Sequence, residues 1–66
     1  MKSVSGKKLA QILESHGWKV SDTKGSHFKY KKNNQIVVLP IHSNKDLKIG
    51  TLKSIMKQAG LTEKDL

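Results

Sequence analysis

Gly25-Ser26-His27 is the stretch of this chain most readily read as proton chemistry. It stands directly before a lysine-crowded run, Phe28-Lys29-Tyr30-Lys31-Lys32. An imidazole titrates near neutral pH and can therefore take or give a proton. Beside RNA, the proton within its reach is that of the ribose 2′-hydroxyl. The alkoxide left behind would attack the adjacent phosphorus and cut the chain without a metal ion. Lys24, Lys29 and Lys31 would stabilise the charge developing on the phosphate. Gly25 has the conformational freedom to let a substrate backbone come close. The plainer alternative is that Gly25-Ser26 makes a turn and His27 is a solvated strand residue. A Gly-Ser-His tripeptide does not by itself separate the two.

The remaining candidates are weaker. His42 follows Pro40 by two residues and could be a partner acid, a phosphate contact or a loop cap. His16 falls on the apolar face of a helical segment, where a dipole partner or a half-buried packing residue is the better reading. Ser26 as a covalent nucleophile would need an adjacent base, and its neighbour His27 points to the opposite strand face. Three histidines without cysteine and with few carboxylates make a poor metal-ligand set, so no metal is expected. No Gly-rich phosphate loop occurs, and no cofactor is expected.

Composition narrows the partners. The chain has 66 residues, of which 35% are hydrophobic, and a net charge of +8. A domain of this size buries only about 60% of its unfolded surface, so one domain spanning residues 1–66 is expected, with no large internal cavity that could enclose a cofactor. Such a charge attracts polyanions. All 13 cations are lysines; these are point charges rather than bidentate forks, which favours phosphate contact over guanine-edge reading by arginine. Cysteine is absent, excluding disulfides and thiolate chemistry. No apolar run approaches the roughly 20 residues that cross a bilayer, and no secretory signal is visible. A cytoplasmic protein without membrane contact is expected.

These residues must be positioned by a few short elements. Leu9, Ile12, Leu13 and His16 share one helical face. Ser5 suits the N-cap, with Val4 and Leu9 as a hydrophobic staple. Gly17 should stop the helix and return Trp18 onto Leu13. Leu52, Ile55, Met56 and Ala59 repeat that spacing, closed by Gly60 with Leu61 returning to Met56. Between the helices, strands are predicted over 18–22, 26–32 and 35–40. Trp18 and Val20 should share one side of the first. Phe28 and Tyr30 should oppose His27, Lys29 and Lys31 on the second. Asn33-Asn34 suits a tight hairpin turn, and Pro40 ends the third strand. A loop over 42–46 leads into the second helix. Thr62 to Asp65 has the form of a capping box, predicting a short C-terminal helical turn. The expected fold class is α+β: a two-layer sandwich with a three-stranded antiparallel sheet and both helices on one face, the arrangement of double-stranded-RNA-binding domains. Fold alone does not supply function.

Three segments together, VSGKKLAQILESHGW, GSHFKY and VVLPIHSNKDLKIGTLKSIMKQAGL, resemble the HicA family of toxins over nearly the whole chain. The resemblance implies the same fold, ribonuclease activity against mRNA, and a HicB-type antitoxin that masks the active site. It places the family's Gly-Ser-His on Gly25, Ser26 and His27, with His27 catalytic. It also places an aromatic on Tyr30, a Pro-x-His element on Pro40 and His42, and a further element on Leu47, Lys48, Gly50, Thr51 and Leu52. Many members carry Pro where this chain has Ile49, a change at the start of the second helix rather than at the chemistry. The resulting expectation is an endoribonuclease with His27 as acid or base and with Gly25, Ser26, Lys24, Lys29, Lys31 and His42 contacting RNA. A non-catalytic basic RNA-binding module, or an adaptor for an acidic protein, are the competing readings.

Overall fold

A computed structural model describes residues 3–66. The chain runs α1 (Gly6–Ser15), β1 (Lys19–Lys24), β2 (His27–Lys32), β3 (Gln35–Pro40) and α2 (Ile49–Ala59), then a 3₁₀ turn at Glu63–Asp65. The three strands form one antiparallel sheet in the order β1-β2-β3. This is the predicted α+β architecture, with the C-terminal turn included.

Local chemistry explains the element ends. The Ser5 hydroxyl accepts from the Lys8 amide at 3.1 Å, satisfying one orphan donor of α1. Both helices close in the same way. Gly17 (φ 93) and Gly60 (φ 71) take the left-handed conformation. The Trp18 amide then donates to Leu13 and the Leu61 amide to Met56, each a Schellman closure. The Thr62 amide donates to the Asp65 carboxylate at 2.8 Å, and this contact holds the Asp65 pKa below its usual value. The capping box read from the sequence is therefore present, closing a single 3₁₀ turn.

Register divides the sheet into two faces. Tyr30, Val37 and Leu39 are buried and Phe28 packs partly against them. They meet Leu9 and Leu13 of α1 and Leu52, Ile55 and Met56 of α2 in one core, so both helices cover this face. Each such large side chain stabilises by about 1.5–3 kcal/mol when fully buried. The Tyr30 hydroxyl donates to the Glu14 carboxylate at 3.1 Å. Burial, with the Glu14 carboxylate adding to it, pushes the Tyr30 pKa up to about 12. Trp18 is the bulkiest buried side chain, and its indole N–H has no partner among the described residues.

Two details depart from expectation. The first strand spans Lys19–Lys24 instead of 18–22, because Trp18 closes α1 and leaves the strand to begin after it. Val20, predicted beside Trp18, lies opposite Tyr30 but is 49% exposed; β1 is an edge strand, with no further strand beyond it among the described residues. A bulge between Val20 and Asp22 shifts the β1 register.

Candidate functional site

The uncovered face of the sheet carries the titratable groups. Residues paired across antiparallel strands share a face, and three rows result. Lys19, Lys31 and Ile36 form one; Asp22, Lys29 and Val38 the next; Lys24, His27 and Pro40 the last. His27 is thus exposed on the central strand, between a lysine and the rim of a proline ring. Ile36 (55% exposed) and Val38 (45%) add an apolar stripe beside the lysines.

The turn that delivers His27 is built by Gly25 and Ser26, which connect the paired residues Lys24 and His27. Gly25 has φ 61, and a Cβ there would meet nothing within 4 Å. Its requirement is therefore conformational: a two-residue hairpin turn of this kind needs positive φ at its first position. The Ser26 carbonyl accepts from the Ile41 amide at 2.8 Å. That bond prolongs the β2–β3 ladder and seats the turn against the end of β3.

His42 lies two residues past Pro40 and is exposed. Its carbonyl accepts from the Lys45 amide at 3.0 Å, and Ser43 takes φ 52, so the backbone caps a tight turn. The His42 side chain lines a cleft of about 350 Å³ whose walls include Pro40, Lys45, Asp46, Lys48 and Thr51. The structure therefore joins Lys24, His27, Lys29 and Lys31 on one surface. His42 stands at a neighbouring concavity that shares Pro40 with it. His16 is remote from both. It is exposed at the end of α1, with Nε2 3.4 Å from the Asp65 carboxylate, and it ties the C-terminal turn to α1. Tyr30 is on the covered face, away from His27.

Sequence reasoning missed Asp22 and the cleft. Asp22 reaches the His27 face only because the bulge resets the register, and strict alternation gives no hint of that. The cleft residues come from separate segments; the alternating charges of Lys45-Asp46 beside Lys48 were their only trace. Among the described residues no three His, Asp or Glu side chains group as metal ligands would. Among the described residues no helix is long and apolar enough to cross a membrane.

Comparison with known proteins adds two findings. A family model described as HicA toxin of bacterial toxin-antitoxin matches residues 6–61. A curated relative from Pseudomonas fluorescens (strain Pf0-1), named "Probable mRNA interferase HicA", is 41% identical over 51 residues, covering 77% of this chain and 85% of that protein.

Proposed function

We propose that this chain, which belongs to the HicA toxin family, is an endoribonuclease that cuts mRNA through His27. The observation that carries the reading is the placement of His27: exposed, on the central strand, on the lysine face, with the opposite face sealed by both helices. The neutral imidazole takes the 2′-hydroxyl proton. O2′ then bonds to the adjacent phosphorus as the P–O5′ bond breaks, and O5′ leaves with a proton from a second donor, for which His42, in the cleft that shares Pro40 with the His27 row, is the histidine placed on that side of the fold. Lys24, Lys29 and Lys31 neutralise the phosphorane. A positioned proton carrier contributes roughly 10²–10⁴ in rate.

The same face accounts for control. An acidic antitoxin of the HicB type would compete with RNA for it, with its apolar contacts on Ile36 and Val38. Electrostatic steering makes such association fast and salt-sensitive.

The test is His27→Ala, assayed on RNA and in growth arrest. The side chain is exposed, so folding should be retained while cleavage falls by about 10²–10⁴-fold. Undiminished cleavage removes the proposal. One observation favours a non-catalytic RNA-binding module instead: no hydrogen bond orients the His27 ring among the described residues. That reading requires RNA that is bound and retarded but never shortened, with His27→Ala neutral and charge reversal at Lys29 and Lys31 abolishing binding.

A further inference from the structure

We propose that the cleft beside β3 holds one guanine nucleotide of the RNA, next to the phosphate presented to His27, and so sets where the chain is cut. The proposal rests on the reading of His27 as the cleaving group. Its volume of about 350 Å³ falls in the range of small-molecule sites, roughly 300–1,000 Å³. It adjoins the reactive row directly, because Pro40 is both the register partner of His27 and a wall of the cleft.

The lining divides by chemistry. Lys45 and Lys48 offer point charges for phosphate, and the Thr51 hydroxyl can donate to a phosphate or ribose oxygen. His42 supplies an aromatic ring on which an unstacked RNA base can lie, and Pro40 an apolar neighbour to it. Asp46 supplies the selective group. Among the described residues, no cation lies within ion-pair distance of its carboxylate, so both oxygens remain acceptors. Guanine presents two adjacent donors, N1–H and N2–H, to such a pair. Adenine and cytosine set an acceptor beside their amino group, and uracil flanks its N–H with two carbonyls. A carboxylate therefore favours guanine over all three.

The cleft's frame is fastened to the rest of the fold on two sides. The Leu47 amide donates to the Val4 carbonyl at 2.8 Å, and Asp46 bridges Ser5 as an isolated β-pair. Leu47 itself is buried in the core. The loop is thus fastened to the segment before α1, and the Ser26–Ile41 bond fastens the His27 turn to the same corner.

Two measurements decide the matter. In the first, His27→Ala protein is titrated with 5′-GMP, 5′-AMP, 5′-CMP and 5′-UMP while the amide resonances of residues 42–51 are followed. GMP should bind about tenfold more tightly than the others, the discrimination one bidentate contact provides. Asp46→Asn should erase that preference, and Lys45→Ala with Lys48→Ala should weaken all four. Equal affinities, no saturable shifts, or a preference that survives Asp46→Asn would overturn the proposal. In the second, wild type and Asp46→Asn digest an RNA of mixed sequence. Loss of guanine at the cut sites with cleavage retained supports the cleft. Unchanged cut sites overturn it while leaving the nuclease reading intact. If the wild type cuts nothing, the nuclease reading fails and the cleft's placement of a cut fails with it.

Discussion

The two helices cover the same face of one sheet, yet they are attached to the fold in different ways. Helix α1 is fastened at both ends. Ser5 caps it, and Gly6 lies so close to β3 that an added Cβ would stand 2.8 Å from the Pro40 carbonyl oxygen. Its far end is tied through Glu14 to Tyr30. Helix α2 has no side-chain cap and no acid in its first turn. Ile49 is 40% exposed, and a Cβ on Gly50 would meet nothing within 4 Å. No hydrogen bond from an α2 side chain to the sheet is found among the described residues. The sealed start of α1 supports the corner behind His27; the open start of α2 borders the cleft. Stability is concentrated where the site is held, and the surface is left unfilled where a ligand would enter.

The most damaging way to break this contrast is Gly6→Ala. The new methyl meets backbone atoms of Pro40 and Ile41 that cannot swing aside. Overpacking of this kind costs about 1–3 kcal/mol, more than the gain of about 0.5–1 kcal/mol that alanine brings to a helix. A lower denaturation midpoint is expected; an unchanged one would mean that the junction is not close-packed. Gly50→Ala, with open space around it, is the natural control and should stabilise.

Next in size is the far end of α1. The folded Tyr30 pKa, about 12, lies above the ordinary value of 10.0. A group whose pKa rises on folding contributes fully below its unfolded pKa and loses that contribution as pH climbs through the folded one. Between pH 10 and 12 the protein should therefore lose stability from this group, on the order of 1 kcal/mol at most once solvent screening is allowed for. Lysine deprotonation also acts in that window, so the measurement is the difference between wild type and Tyr30→Phe. Parallel pH profiles would refute the assignment.

Ser5→Ala removes the α1 cap and should cost about 1 kcal/mol in urea unfolding. Ile49→Pro offers the smallest effect, and in the opposite direction. Lys48 already has φ −62 and ψ 142, a conformation that a following proline requires. The amide lost is one of the orphans of the first turn. A gain of about 0.4–1 kcal/mol is expected, and destabilisation would show that the start of α2 is more constrained than its geometry indicates.

The sequence was legible wherever the determining contacts are local. Ser5, the glycines at 17 and 60, and the 3.6-residue spacing of apolar side chains fixed both helices within a residue or two. Alternation in β2 placed Phe28 and Tyr30 opposite His27, Lys29 and Lys31, as the sheet does. The Asn33-Asn34 turn lay between paired strands as expected; the turn at Gly25-Ser26 had been offered only as the plainer alternative for that stretch. Alternation failed at Ser21, because a bulge inserts a residue without any marker as plain as glycine or proline. Asp22 was consequently overlooked on the face that carries His27.

What this sequence determined unaided is a set of segments: where α1 starts, where both helices stop, which side of β2 is apolar, and an excess of lysine beside one histidine. These follow from hydrogen bonds and side-chain spacing that span four or five residues. Tertiary structure alone decided that Gly6 must have no side chain, that Glu14 meets Tyr30, and that Pro40, Asp46 and Thr51 share one hollow. Those contacts join segments far apart in the chain, and only closure of the core around the sheet brings them together.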